Sequence, residues 1–306
     1  MAAMFIAKAA YHHFRIRRTS RLRAGRKELP GDLACSGVTC KHFPGTQDRG
    51  DLVTNIDLNN RTAFYDDEGF NYQSYWSNRN YEHSAEVIAI RRLLKGRKFG
   101  RAADIGGGYG RLSVVLAEFA DKITLVDSSS QQLALAADFL ADHPGVEKRL
   151  MDAASLDFPD ASVDLVAMVR VLHHLPDPSA ELAEAHRILR PGGAAVVEVA
   201  NMAHALNRVR HMVRRERLSV TAVDIRSDAT RERGGIPFVN HHPATVAKQF
   251  RTAGLQVERV LSVSNLRHPL IKKALPGRAI LAAERFAQPG LAKVQFGPSL
   301  FFLLRK

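Results

Sequence analysis

The chain has 306 residues, of which 45% are hydrophobic and 25% charged, and a formal net charge of +13. That length suits one large domain with extensions, and the longest apolar runs are far too short to span a bilayer. Only two cysteines occur, Cys35 and Cys40, which excludes a disulfide framework and points to a reducing compartment.

With His42 the two cysteines make three ligand candidates on a glycine-bearing loop, short of a structural zinc site, so they read as ordinary thiols and no metal is expected. The charge is unevenly placed. Residues 1–30 carry eight Lys/Arg against one acid, residues 201–306 carry nineteen against six, and residues 31–200 have a net charge of −7. Such a split suits a nucleic acid or an anionic membrane surface, and equally plain solubility with a loose basic tail.

Residues 1–50 show no sustained period and read as a basic extension, either a disordered arm or, over 1–27, an organelle-targeting segment. The long apolar core of a secretory signal is missing there. The expected location is therefore cytoplasmic, with peripheral membrane association as a variant. Residues 51–97 form an aromatic-rich cap containing Phe64, Tyr65, Phe70, Tyr72, Tyr75, Trp76 and Tyr81. Ala85, Ile88, Ala89, Leu93 and Leu94 predict a helix over about 80–95. The cap either covers a sheet or closes on a ligand as a lid.

From residue 98 onward, strand-like runs alternate with helical patterns. The strands are expected at about 101–105, 122–127, 147–152, 163–169 and 194–200. After the first, Leu112, Val115, Leu116 and Phe119 fall at helical spacing, which puts a glycine-rich turn, Gly106 to Gly110, between strand and helix with free helix N–H groups pointing outward. Ser128 to Ser130 can cap a helix carrying Leu133, Ala136, Ala137 and Leu140. Asp177-Pro178 starts a further helix that ends near Arg190, and Pro191-Gly192-Gly193 turns into the fifth strand. This alternation means a parallel, doubly wound α/β sheet with its ligand edge at the strand C-termini.

Three acids lie in phase on that edge. Asp104 and the glycine turn end strand one, Asp127 ends strand two, and Asp152, followed by Ala153, ends strand three. A carboxylate at the end of the second strand suits a ribose diol, whose hydroxyls both donate to it. Asp152 suits an exocyclic amine of a base. A nicotinamide dinucleotide fits less well, because its fingerprint wants a small residue where Arg111 stands.

The run Asp104-Ile105-Gly106-Gly107-Gly108-Tyr109-Gly110, with Asp127 and Asp152-Ala153, resembles the class I S-adenosylmethionine-dependent methyltransferases. The resemblance covers about residues 80–200. Phe158 to Val166, Val171-Leu172-His173-His174-Leu175 and Arg187 to Gly193 resemble later segments of the same family in its small-molecule and quinone-biosynthesis branch (methyltransferase domain type 11/25). It implies a Rossmann-like, doubly wound seven-stranded sheet with strands one to five parallel and the last antiparallel, preceded by an N-terminal helical cap. It also implies that residues 98–306 are the methyltransferase domain, with helical insertions at about 202–236 and 266–297. The implied cofactor is S-adenosylmethionine, held by Asp104, Gly106, Gly107, Gly108, Gly110, Asp127, Ser128, Asp152, Ala153, Val169 and Arg170.

A sulfonium methyl is already electrophilic, so the protein must align the acceptor and exclude water, and needs a base only if the acceptor loses a proton. Candidate bases are His173 and His174 after strand four and His241 and His242 before the helix at 243, with His173 and His241 preferred. Arg170 would meet an anionic substrate group or the cofactor carboxylate, or pair with an acid of residues 66–68. No Asn-Pro-Pro or Asp-Pro-Pro follows strand four and no cysteine follows strands four or five, which disfavours methylation of nucleic-acid bases. A small-molecule or lipid-like acceptor, methylated at O, N or C, is the leading reading. The alternatives are an RNA methyltransferase using the basic C-terminal third and a non-catalytic S-adenosylmethionine-binding module. Residues 202–217 predict a basic amphipathic helix, packed on the domain as a substrate lid or in contact with an anionic membrane.

Overall fold

The computed structural model describes Trp76, residues 79–232 and residues 237–306, all within one compact unit. The expectations for the basic extension, the cysteines and most of the aromatic cap lie outside these residues. The first helix, α1, spans Asn80–Leu93 and buries Ala85, Ala89, Ile90 and Leu93, at the predicted helical spacing.

A seven-stranded sheet follows, formed by β1 (Phe99–Ile105), β2 (Ala120–Asp127), β3 (Val146–Leu150), β4 (Val163–Met168), β5 (Leu189–Ala200), β8 (Gln256–Val263) and β9 (Ser299–Arg305). Its order is β3-β2-β1-β4-β5-β9-β8. β1 to β5 pair in parallel, whereas β9 runs antiparallel to both β5 and β8. This is the Rossmann-like arrangement expected from the sequence. Between β1 and β4 the strand order reverses direction, and ligands bind at such a point.

Helices cover both faces. On one lie α1, the single turn α2 (Ser113–Leu116) and α9 (Gly277–Ala292); α4 (Ser179–Ile188) and α7 (Pro243–Thr252) lie on the other. Strand residues alternate between the two cores. Phe301 and Leu303 of β9 enter one, and Leu300, Phe302 and Leu304 enter the other. A strand buried on both sides must be apolar throughout, which explains the run Leu-Phe-Phe-Leu-Leu.

α3 (Ser130–Phe139) is capped by Ser129, whose side chain accepts from the Gln132 N–H. Four details differ from expectation. The helix after the glycine turn is only one turn long, because the chain must return to pair as β2, with the Phe99 N–H bonded to the Phe119 carbonyl. β3 stops at Leu150, so Asp152 sits in the turn beyond it. β5 begins at Leu189 and runs through Pro191-Gly192-Gly193, since Lys306 bonds to Gly192 and Gly193 and draws that segment into the sheet. The excursion at 270–288 resolves into α8 (Pro269–Ala274) and α9.

α9 is part of the domain wall. Ile280, Glu284 and Gln288 recur every fourth residue and face inward. Glu284 accepts from the Tyr81 hydroxyl at 2.8 Å and from Asn265, and Gln288 donates to the Ala85 carbonyl at 2.9 Å. The opposite core centres on Phe250, fully buried and edge-on to Phe302 with ring centroids 5.2 Å apart. Phe250→Ala should cost about 3–5 kcal/mol in urea unfolding, because the cavity it leaves cannot collapse between α7 and the sheet.

Candidate active site at the carboxyl edge of the sheet

β1 and β2 end side by side, with Asp104 opposite Leu125 in register. The glycine turn is tied to the end of β2. Gly106 and Gly107 donate to the Val126 carbonyl at 2.7 and 3.2 Å, and the Gly108 N–H donates to Asp127 Oδ2 at 2.8 Å. Asp127 Oδ1 accepts from the Ser129 N–H at 2.9 Å. The amides of Gly106, Gly107 and Gly108 therefore point at β2 and Asp127 rather than outward. An ionised carboxylate offers about four acceptor positions, and these two turn bonds take one on each oxygen of Asp127.

The turn's own packing admits only glycine at two of these positions. A Cβ on Gly107 would lie 2.3 Å from Leu125 Cδ1 and 2.7 Å from Asp104 Oδ2. Gly106 has φ +65°, and a Cβ there would meet Val171 Cγ2 at 2.5 Å. The residues present thus fit a nucleoside-type ligand pressed against bare backbone, with a carboxylate beside it.

Asp104 is fully buried and accepts from the Ser113 hydroxyl at 2.7 Å. Burial pushes its carboxyl up to about 6, against the opposing pull of Ser113 and Arg111. A cationic group placed beside it would favour the carboxylate. Asp152 Oδ1 accepts from the Ala154 N–H at 2.8 Å, which fixes the turn after β3 and leaves Asp152 and Ala153 half-buried. Ser128 is exposed and Val169 buried.

Arg170 follows β4 with φ +66°, a backbone conformation that is costly for a side-chain-bearing residue and concentrates at functional sites. Its guanidinium reaches Glu86 Oε1, with Nε at 2.9 Å and Nη2 at 2.5 Å. Glu86, completely buried on α1, also receives Arg111 Nη2 at 2.8 Å on its other oxygen. Burial would raise its pKa, but Arg170 and Arg111 together hold it below the usual carboxylate range. The Arg111 guanidinium also lies 3.7 Å from the centre of the Trp76 ring. The alternative partner expected for Arg170, an acid of residues 66–68, lies outside the described residues; among these its anion is Glu86.

A cavity of about 240 Å³ opens beyond Arg170. Glu198 and Ala200 of β5, Ser299 of β9, and Ser264 and Arg267 after β8 line one side. His204 lies before α5 (Ala205–Arg214), and Ile225 and Phe238 flank the small ribbon of β6 (Val223–Asp224) and β7 (Val239–Asn240). Glu198 is buried, accepts from the Ser299 hydroxyl and from the Arg170 N–H at 3.2 Å, and is pushed upward by desolvation. Ser264 Oγ is buried without a hydrogen-bond partner among the described residues, on a residue with φ +61°.

The histidines split into different uses. His241 Nε2 donates to the Leu172 carbonyl at 2.8 Å, holding the turn after β4. His174 Nδ1 donates to the Pro237 carbonyl at 2.7 Å, and burial lowers its pKa to about 4. His173 packs at a tilt against His174 and Phe238 with centroids 3.9 and 4.6 Å away, and its Nδ1 is buried without a partner among the described residues. Burial and the neighbouring His174 and Arg170 hold it far below its ordinary value. Glu86 and Glu198 were missed from the sequence. The available signals were an acid in the apolar stripe of a helix and an acid inside the otherwise apolar strand 194–200.

Two stability measurements test these electrostatics. Glu86→Ala removes the anion shared by Arg111 and Arg170 and should cost about 3 kcal/mol or more in denaturant unfolding. Asp104 binds its proton more tightly folded than unfolded, so its penalty is absent below about pH 4 and complete above about pH 6. Asp104→Asn should therefore gain about 2 kcal/mol at pH 7.5 and almost nothing at pH 4.

Residues 103–197 match the methyltransferase domain family. The 27-O-demethylrifamycin SV methyltransferase of Amycolatopsis mediterranei is 31% identical over 130 residues, covering 40% of this chain and 48% of that protein. A phosphatidylethanolamine N-methyltransferase of Cereibacter sphaeroides is 35% identical over 101 residues, covering 32% and 49%. The matched stretch thus spans about half the length of these curated relatives. A solved S-adenosylmethionine-dependent methyltransferase of Thermotoga maritima shares the fold at a TM-score of 0.54 and 21% identity, over 77% of this chain and 94% of that one. Residues 103–197 accordingly match a methyltransferase domain, carried on the fold of an S-adenosylmethionine-dependent methyltransferase.

Proposed function

We propose that the chain transfers a methyl group from S-adenosylmethionine to an O, N or C atom of a small-molecule or lipid-like acceptor. The observation that carries this reading is the Asp127 carboxylate held at the glycine turn by the Gly108 N–H, on the same sheet edge as the cavity beyond Arg170. Asp127 would take the ribose hydroxyls, Asp104 the ammonium side, and Asp152-Ala153 the adenine side. When bound, the cofactor supplies an electrophilic sulfonium methyl. The chain's own residues then have to position the acceptor and keep water away.

The acceptor enters at the cavity, where Phe238 and Ile225 offer apolar contact and Ser264, Arg170 and Arg267 offer polar contact. His173 stays neutral at physiological pH and is a weak proton store. It suits hydrogen bonding to an acceptor better than full proton abstraction. His241, pinned to the Leu172 carbonyl, acts as a positioning residue for the turn that carries His173. Small-molecule and phospholipid methylation by the two relatives supports this acceptor class.

Calorimetry with S-adenosylmethionine and with its demethylated product should show binding. Asp127→Ala should weaken both at least about tenfold, the loss of hydrogen bonds to a charged group. Equal affinity in a variant that keeps its unfolding midpoint would remove the ribose assignment. Profiling of cell metabolites with labelled donor, wild type against Gly108→Arg, then identifies the acceptor.

A further inference from the structure

α5 divides into an apolar and a basic side, yet none of its residues is buried. At 100° per residue, Ala205, Leu206, Val209, Met212 and Val213 share one arc, and Arg210, His211 and Arg214 share the other. In a helix that closes over a domain the apolar arc faces the core. Here Met212 and Val213 are 70% and 75% exposed. Among the described residues, the hydrogen bonds from α5 to the body come from its first turn. The Ala205 N–H bonds to the Phe296 carbonyl at 2.9 Å, Asn207 Nδ2 donates to the Met202 carbonyl at 2.7 Å, and Arg208 donates to the Val294 carbonyl. Ala205, Leu206 and Val209 are half-buried, so the apolar arc meets the body at its start and is left exposed at its end.

Beyond α5 the same character continues. Arg215 closes the helix in a left-handed conformation, and Arg217 and the exposed Val220 follow. Between residues 205 and 217 five arginines face one acid, Glu216. Exposed apolar side chains flanked by arginines match an anionic lipid surface, where guanidinium groups meet headgroups and apolar side chains enter the acyl boundary. An RNA strand would be served by stacking aromatic residues, and residues 205–225 contain no Phe, Tyr or Trp. No described helix is long and apolar enough to cross a membrane, so the contact is with the surface.

Two residues join this surface to the cavity. His204, whose Nδ1 caps α5 by accepting from the Asn207 N–H, lines it, and so does Ile225, itself 52% exposed.

We propose that α5 and the segment running to Ile225 form a docking surface for an anionic bilayer beside the acceptor cavity. A lipid-like acceptor would then reach the cavity from the membrane plane. This use rests on the methyl-transfer reading, whereas the docking itself does not.

Flotation of the full chain with phosphatidylcholine vesicles, with and without one-third phosphatidylglycerol, tests it. The chain should float only with the anionic vesicles and less at high salt. Arg210→Gln, Arg214→Gln, Arg215→Gln and Arg217→Gln together should weaken binding by roughly fivefold per arginine. Met212→Gln with Val213→Gln, which leaves the charge unchanged, should also release the protein. Calorimetry with S-adenosylhomocysteine on each preparation reports folding and the methyltransferase reading separately. Failure to float, equal flotation with neutral vesicles, or indifference to the Met212/Val213 change would overturn the docking surface. Tight binding of a single-stranded RNA oligonucleotide that depends on the four arginines but not on Met212 and Val213 would also overturn it.

Discussion

One buried carboxylate fastens together three parts of the molecule that are far apart in sequence. Glu86 lies on α1, Arg111 follows the glycine turn, and Arg170 follows β4. An unpaired charge in the interior is expensive, so none of the three can move without the others. The Trp76 ring adds a flat surface 3.7 Å from the Arg111 guanidinium and 5.5 Å from that of Arg170. Arg111 follows the glycine turn, the proposed cofactor side, and Arg170 borders the cavity. The two halves of the site are thus referenced to a single anion, and the left-handed backbone of Arg170 is tolerable because Glu86 and Glu198 hold its side chain and its amide.

The cavity side has its own electrostatic character. His204 is pulled down to about 4 by burial and by the arginines around it, chiefly Arg267. His173 and His174 are neutral for similar reasons, burial coming first. The histidines gathered after β4 therefore contribute shape and neutral hydrogen-bonding groups. Positive charge comes from guanidinium groups, which do not titrate near neutrality. For the methyl transfer proposed above, such a setting favours placement of the acceptor over proton shuttling.

The sheet was legible because buried parallel strands leave unbroken apolar runs between turn signals, and the acids at the ends of β1 and β2 sit where that reading put them. Ser129 as a cap was legible for the same local reason. Long-range electrostatics were not. Arg111 looked like a departure from a glycine fingerprint, and nothing within ten residues of it reveals a partner on α1. Glu198 looked like one acid in a strand until β9 brought Ser299 against it. The exposure of α5 was equally hidden, since a hydrophobic stripe records what a helix can bury and not whether anything covers it.

β8 touches the sheet only through β9, which is made after it. As the chain is synthesised, β1 to β5 can assemble in order, each strand finding a neighbour already present. β8 has to wait, unpaired, until α9 and then Ser299–Arg305 have been added and inserted between it and β5. Assembly of the site follows the same delay, because Ser299, the partner of Glu198, and the wall formed by Ser264 and Arg267 come into place only with that last insertion. By this topology the strands that carry the glycine turn can pair before the strand that closes the cavity beyond Arg170 has been made.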